Sequence, residues 1–335
     1  MKRLEILVPH YHEEAEVIKP LLDSIALQQN VDFNDIGVII CHDGEDIEDF
    51  CFLEEDYCDN NIFPYYPFSI TQIHIPHKGV SAARNGALDA STAEYVMFCD
   101  ADDIFYNACG IWLILRDIEE QHFDTMTSVF LEETRMPDTG KPAYLIHEDD
   151  STFVHGKVHR RKYLIEKGIR WNEALTVHED SYFNILCRTL TDKVWLSQSA
   201  FYLWKWRDDS VCRHDPATYI LKTYRNLIDS SNALVEEYLR REMTDRAKFY
   251  VVLGVFDAYY TMNKPEWVNQ DNRTYRDETE RHFAEFYRKW RYLWDEVTER
   301  EKVRISVKVR ENRAREGMGM ERVTIDEWLK QIEQM

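Results

Sequence analysis

Two aspartates separated by one residue give the chain its clearest chemical signal. Asp100 and Asp102 follow an apolar run at residues 95–99, which is typical of a buried strand. Carboxylates at positions i and i+2 just beyond a strand can hold a divalent cation, which prefers oxygen ligands and can neutralise phosphate charge. Aspartates after strands also cap helices. The triplet Asp100-Ala101-Asp102, taken alone, is therefore compatible with a metal site or a helix cap.

Two other segments carry groups that suit a reaction centre. Asp180, in His178-Glu179-Asp180, begins a predicted helix over 180–190 and could accept a proton as a general base. The alternative is an N-terminal helix cap. Residues 79–86 are rich in small side chains, which permit close packing under a ligand. Arg84, within this segment, could reach a base or a phosphate. The alternative for Arg84 is an ordinary surface charge.

Alternating strand and helix patterns are expected to position these groups. The first hundred residues predict helices at 13–29 and 79–90, between strands at 4–8, 36–41, 70–75 and 95–99. Strands separated by helices indicate βαβ units and a largely parallel sheet. Ligands of such sheets bind at the carboxyl ends of the strands. Pro9, Asp43 and Asp100 follow strand ends, so we expect them to line one crevice.

The rest of the chain changes character about two thirds of the way along. Residues 104–200 are mixed, with a helix predicted at 111–121 and a strand at 125–133. Beyond residue 217 the apolar spacing predicts helices at 219–241, 247–262, 274–300 and 325–334. We expect a catalytic domain at 1–217 and a helical region at 218–335 that serves as an acceptor, oligomer, membrane or partner surface.

The motifs together, in this order, resemble glycosyltransferase family 2. The match extends over roughly residues 3–215, and its specificity lies in the ordered set rather than in any single motif. The segments that carry it are Ile6-Leu7-Val8-Pro9-His10-Tyr11-His12, Val38-Ile39-Ile40-Cys41-His42-Asp43-Gly44, residues 78–85, residues 96–103, residues 153–161, Gly168-Ile169-Arg170-Trp171-Asn172-Glu173, Glu179-Asp180 and residues 202–210.

This resemblance implies a GT-A fold, a Rossmann-like mixed α/β sheet flanked by helices, here with a C-terminal helical appendage. It also implies an inverting enzyme that takes a sugar from a nucleoside diphosphate, with UDP the expected carrier. Asp102 would hold Mn²⁺ or Mg²⁺, and Asp180 would be the general base. The donor would contact Pro9, Tyr11, Asp43, His77, Arg84, Asp100 and Arg207.

Three histidines depart from the family pattern. His12 and His77 stand where the family usually has Asn, and His42 replaces the first Asp of an Asp-Asp pair. We interpret His42 and His77 as hydrogen-bonding substitutes, with a metal-binding role as the alternative. The departures bear on the choice of uridine over other bases more than on the fold.

Composition limits the partners and the cellular compartment. A net charge of −20 argues against a nucleic-acid-binding or anionic-membrane-binding surface over the whole molecule, though not against a local basic patch such as residues 302–315. The seven cysteines form no Cys-x-x-Cys pair, which favours reduced thiols in a cytosol over zinc or disulfides. Without a predicted signal peptide or membrane span, we expect a cytoplasmic protein, soluble or peripheral at the inner membrane face.

The acceptor is left open by the sequence. A glycan or glycolipid intermediate of the cell surface is the first expectation, with peripheral membrane association or a homo-oligomer through the C-terminal helices. The alternatives are hydroxymethylated bases of viral DNA, and a binding protein that retains the nucleotide sugar without turnover. A dinucleotide-dependent dehydrogenase is disfavoured because no Gly-x-Gly-x-x-Gly follows the first strand.

Overall fold

The chain forms two compact units, Met1–Asp208 and Asp209–Met335. The computed structural model describes residues 1–53, 66–208, 216–264, 267, 273–314 and 323–335. All of the described strands belong to the first unit, and the described part of the second is helical. The sequence-based boundary between residues 217 and 218 stays a prediction.

Apolar, β-branched runs form the parallel half of the sheet. Strands β1 (Leu4–His10) and β2 (Ile36–Asp43) are buried almost throughout, as expected for parallel strands covered on both faces. Strand β3 (Ser69–Ile75) pairs in parallel with β2, and β4 (Tyr95–Phe98) pairs in parallel with β1. The register places His10 beside His42 and His42 beside His74. The predicted parallel βαβ half is confirmed.

The other half of the sheet is mixed. Its strands are β5 (Ile104–Phe105), β6 (Thr125–Arg135), β7 (Pro142–His147), β8 (Lys157–Arg160) and β9 (Val194–Trp204). The described strands follow the order β3-β2-β1-β4-β8-β6-β9-β5, with β7 beside β6. Strand β8 lies antiparallel between β4 and β6 and so joins the two halves. Periodicity did not predict β7, β8 or β9, because β8 has only four residues and β7 alternates little.

Helices cover the sheet with faces that the sequence pattern predicts. They are α1 (Ala15–Ala26), α2 (Val80–Ala90), α3 (Gly110–Gln121), α4 (Arg161–Lys167) and α5 (Glu179–Thr189). Helix α1 buries Leu21, Leu22 and Ile25 in the main core, and each such side chain contributes about 1.5–3 kcal/mol. Helix α2 packs against β1 and β2. A Cβ at Gly86 would approach the side chains of Cys41 and Ile75 to 3.1 Å, so small residues allow this close approach.

The second unit has its own core. Its helices are α6 (Pro216–Arg240), α7 (Thr244–Met262), α8 (Arg273–Asp295), α9 (Glu299–Ala314) and α10 (Ile325–Glu333). The single helix predicted at 274–300 is wrong at its end, because α8 stops at Asp295 and α9 begins at Glu299. The Thr298 hydroxyl accepts a hydrogen bond of 3.3 Å from the Glu301 N–H, which fixes the new helix start.

Most of the aromatic side chains that the structure describes in this second unit are buried. Trp328 packs on Phe283 and Tyr259, with ring centroids 5.2 and 5.5 Å away, and Phe256 packs on Trp294. These side chains are buried, so they do not supply an exposed membrane face. Among the described helices, none combines the length and the apolar composition that a membrane crossing needs.

Some predicted features lie outside the described residues. They are Cys58, Cys212, Ser210 and the last residue of the basic stretch, Arg315. The five described cysteines, Cys41, Cys51, Cys99, Cys109 and Cys187, are free thiols.

Gly156, just before β8, should be intolerant of a side chain. It has φ +66°, and a Cβ there would lie 2.6 Å from Ser128 Oγ, whereas Gly140 has φ +64° with nothing within 4 Å. We expect Gly140→Ala to cost about 1 kcal/mol of unfolding free energy for the left-handed backbone alone. Gly156→Ala should cost about 1–3 kcal/mol more because of the clash. Equal losses of unfolding free energy for the two variants in urea denaturation would contradict this prediction.

Candidate active site

A buried arginine joins the segments that the sequence singled out. Arg84, on α2, has a side chain only 5% exposed. Its Nη2 donates to Asp100 Oδ1 at 2.9 Å, and its Nη1 donates to Glu179 Oε1 at 3.0 Å. The guanidinium lies 4.4 Å from the ring centroid of Trp171. The surface-charge alternative is therefore wrong, and Arg84 bridges the end of β4 to the start of α5.

The aspartates after β4 face the end of β9. Asp102 Oδ2 lies 3.3 Å from Arg207 Nη1. Asp103 is fully buried and accepts hydrogen bonds from the Tyr202 hydroxyl at 2.5 Å and the Lys205 N–H at 2.9 Å. A turn and then β5 follow the triplet, so the helix-cap alternative is wrong for this described segment.

The pKa shifts of the three aspartates after β4 indicate an excess of negative charge at this edge of the sheet. Burial, and next the charge of Asp100, raise the pKa of Asp102. Burial and the charge of Asp102 raise the pKa of Asp103 well above its usual range. Burial acts to raise the pKa of Asp100, but the charge of Arg84, the charge of His155 and the Arg84 hydrogen bond together outweigh it, so the pKa of Asp100 is lowered. Adjacent carboxylates that resist ionisation together form a site that attracts a cation.

The ligand atoms that lie closest together at this edge are not those of Asp102. Side-chain atoms of Asp100, Asp103 and His155 lie within 4.8 Å of one another, and His155 Nδ1 is 3.5 Å from Asp103 Oδ2. Sequence reasoning missed Asp103 and His155 as candidate metal ligands. Asp103 belongs to the same acidic run and could have been included, whereas nothing local marks His155.

Asp180 lies in the first turn of α5, next to Glu179. It is the second residue of the helix, so the N-cap position in this segment belongs to His178 rather than to Asp180. Its Oδ1 accepts a hydrogen bond of 2.7 Å from the Ser181 N–H. Burial, and then the charge of Glu179, raise the pKa of Asp180 to about 7, although Arg84 offsets part of the shift. A carboxylate with this pKa suits general base catalysis near neutral pH.

The residues predicted to contact a base meet at the ends of β1 and β2. The two Asp43 oxygens each accept a backbone hydrogen bond of 2.8 Å, from the N–H groups of Lys78 and Gly79. His77 Nδ1 lies 2.9 Å from Asp43 Oδ2, and the His77 ring stacks on Tyr11 with centroids 4.5 Å apart. Pro9 is on β1, paired with Cys41. Asp43 thus shapes the loop that presents His77.

His12 adopts a left-handed conformation, with φ +59°. The resemblance places Asn at this position. Asn and His are among the non-glycine residues that adopt this conformation most readily, which gives the substitution a backbone reason.

The Arg84 bridge predicts a large stability difference between two arginines. Arg84→Met would leave Asp100 and Glu179 without their buried partner, so we expect unfolding free energy to fall by about 3–5 kcal/mol. Arg170→Met, which breaks an exposed pair with Asp89, should cost less than about 1 kcal/mol. Similar losses for the two variants in denaturant titrations would rule out the bridging role.

Two bacterial proteins are similar to this chain in sequence. The chain is similar to the uncharacterized glycosyltransferase EpsJ of Bacillus subtilis (strain 168), at 22% identity, covering 76% of this chain and 72% of that protein. A stretch of 50 residues is 42% identical to the succinoglycan biosynthesis protein ExoM of Rhizobium meliloti (strain 1021), covering 15% of each.

The fold has solved counterparts. The structure of S. aureus TarS 1–349 in complex with UDP superposes with a TM-score of 0.57 at 17% identity, covering 85% of this chain and 80% of that one. TarS 1–349 with UDP-GlcNAc gives 0.58 at 18% identity, covering 85% and 81%. The sequence profile of Glycosyl transferase family 2 matches residues 5–185, more than half of the chain. The chain therefore belongs to glycosyl transferase family 2 and is a glycosyltransferase with a GT-A fold.

Proposed function

We propose that this enzyme transfers a sugar from a UDP-sugar to a hydroxyl group of a cell-surface polysaccharide or glycolipid intermediate, with inversion at the anomeric carbon. The observation that carries the proposal is Asp180, whose pKa of about 7 and position beside the Arg84–Asp100 pair suit a base next to a nucleotide. The UDP and UDP-GlcNAc complexes of TarS support the carrier. The 50-residue similarity to ExoM, a succinoglycan biosynthesis protein, supports a glycan as product.

The chemistry is a single in-line displacement. The acceptor oxygen attacks the anomeric carbon while Asp180 takes the hydroxyl proton, and the bond between that carbon and the phosphate oxygen breaks. The electron pair leaves with the nucleoside diphosphate, which needs no proton at physiological pH. One protein carboxylate is enough at the sugar, unlike the pair that glycosidases use.

The acidic edge fits a divalent cation. Asp100, Asp102 and Asp103 crowd one turn, and burial together with their mutual charges raises the pKa of the last two. We propose that Asp102 holds Mn²⁺ or Mg²⁺. The neighbouring residues Asp100, Asp103 and His155, whose ligand atoms lie within 4.8 Å of one another, offer further donors at this edge. The cation would supply charge neutralisation for the departing diphosphate.

The donor side is assigned to the aromatic and charged groups at the strand ends. Tyr11 and His77 form a stacked, half-exposed surface on which a uracil ring can lie. Asp100, held by Arg84, is assigned to the ribose. Arg207, beside Asp102, is assigned to the diphosphate because an arginine fork matches phosphate oxygens.

Donor binding should depend on Asp102. In a thermal-shift screen of UDP- and GDP-sugars with Mn²⁺, we expect one UDP-sugar to stabilise the protein, by about 2.7 kcal/mol at a hundredfold excess over its Kd. Asp102→Ala should abolish that shift, because Asp102 would hold the cation that neutralises the diphosphate charge. Asp138→Ala, at an exposed turn, is the matched control. A shift of equal size in Asp102→Ala would exclude the metal role, and a GDP-sugar preference would exclude uridine.

Turnover should depend on Asp180 and on pH. Asp180→Asn should lower the release of nucleoside diphosphate by about 10²–10⁴-fold, because the general base is lost. The wild-type kcat/KM should fall as pH drops through about 7, since protonation of Asp180 removes the active form.

The raised pKa of Asp180 also has a consequence for stability. Ionised Asp180 destabilises the fold above pH 7, so Asp180→Asn should keep or raise the Tm at such pH values.

Asp192→Asn, an exposed carboxylate, serves as the control and should retain activity. If Asp180→Asn kept more than roughly a tenth of the wild-type rate, well outside the range for a lost general base, the assignment would be wrong.

A further inference from the structure

Three histidines form a row across the parallel strands, on the face away from α2. His10, His42 and His74 are register partners on β1, β2 and β3. Successive side chains of a strand alternate between faces, so these residues share a face that Asp43 and Cys41 do not. Cys41 lies against α2 at Gly86. The row is thus separate from the Arg84 side of the site.

When His10 and His42 are both neutral, their hydrogen bonds determine which ring nitrogens carry the protons. His10 Nε2 lies 2.8 Å from the Glu13 carbonyl oxygen, which can only accept, so Nε2 carries the proton. In the neutral ring His10 Nδ1 is then an acceptor. It lies 2.8 Å from His42 Nδ1, which must donate. The lone pair of neutral His42 therefore resides on Nε2.

That lone pair faces oxygen acceptors. His42 Nε2 is 3.2 Å from Gln72 Oε1 and 3.8 Å from Asp49 Oδ1. The Gln72 orientation is fixed because Oε1 also accepts a 2.8 Å hydrogen bond from the Phe50 N–H. An imidazole lone pair opposite two oxygens is electrostatically unfavourable unless a cation lies between them.

The neighbouring ring completes a ligand set. His74 stacks on His42 with centroids 4.6 Å apart, and its Nε2 lies 2.7 Å from Asp49 Oδ1. The ligand atoms of His42, Asp49 and His74 all lie within 4.8 Å of one another. Tetrahedral ligands about 2.0–2.1 Å from zinc are about 3.3–3.4 Å apart, inside the range spanned by these pairs.

The second ring nitrogens are also suitably placed. Metal-bound histidines usually donate their other N–H to a carbonyl, a carboxylate or water. His74 Nδ1 lies 3.4 Å from the Gly44 carbonyl oxygen, and His42 donates to His10. Both rings could therefore bind a metal in their present tautomers or after a single proton shift.

We propose that His42 Nε2, His74 Nε2 and the Asp49 carboxylate bind Zn²⁺, with water or Gln72 Oε1 in the fourth position. Two imidazoles and one carboxylate form a donor set typical of zinc. The ion would tie the segment 44–49 to the ends of β2 and β3. That segment begins immediately after Asp43, which is one of the residues assigned to the donor. The ion would therefore also restrain the backbone next to Asp43.

The test uses the full chain, stripped of metal and titrated with Zn²⁺ alone, with bound metal measured by mass spectrometry after gel filtration. We expect one equivalent to bind without any nucleotide. His74→Ala and Asp49→Ala, both at exposed residues, should each weaken binding by at least about 100-fold, because each removes a direct ligand. His122→Ala, an exposed histidine on α3's C-cap, should bind as the wild type does.

Clear outcomes separate this site from the donor site. Asp102→Ala should keep the zinc while losing the nucleotide-sugar shift, so the two proposals can fail independently. Less than one equivalent in the wild type would overturn the proposal, and so would full binding by folded His74→Ala and Asp49→Ala. Circular dichroism of both variants excludes loss of binding through unfolding.

Discussion

The reaction site depends on one buried arginine. Arg84 arrives on a helix of small residues that lies close to the sheet, and its two Nη atoms reach carboxylates of two different segments. Removing a guanidinium from water is costly, and only paired negative charge with good geometry offsets that cost. The charge and hydrogen bond of Arg84 act to lower the pKa of Asp100 against its burial, and the charge of Arg84 offsets part of the rise that burial and Glu179 cause in the pKa of Asp180. Packing, charge and chemistry are coupled at this one side chain.

The mixed half of the sheet supplies the second constraint. Strand β8 runs antiparallel to β4, which brings β6 and β9 alongside and lets Tyr202 reach Asp103. The acidic turn is therefore held by two contacts: Arg84 pairs with Asp100, and Tyr202 near the end of β9 pairs with Asp103. Carboxylates fixed in this way cannot move apart to relieve their repulsion, which explains why a cation is expected at this place rather than elsewhere on an acidic surface.

Sequence patterns predicted the features that depend on neighbouring residues, and they missed the contacts between segments distant in the chain. Buried runs indicated β1, β2 and β4, and motif order indicated Arg84, Asp100 and Asp180. Periodicity could not predict β8, since four residues carry no clear period, nor that His155 approaches Asp103 across the sheet. The histidine row is a similar case: His42 was interpreted as a hydrogen-bonding substitute, and its register with His10 and His74 appears only once the strands are paired.

The separation of these contacts along the chain has a consequence for biosynthesis. Asp103 meets Tyr202 and Lys205, and Asp102 meets Arg207, across 99 to 105 residues of sequence. Chains emerge from the ribosome from the N-terminus, and long-range pairings form late. While the parallel strands are already available to fold, the acidic turn would have no β9 to close it. A nascent chain would thus expose its carboxylates to water until almost the whole first unit had been translated, and would complete the contacts around its acidic turn only then.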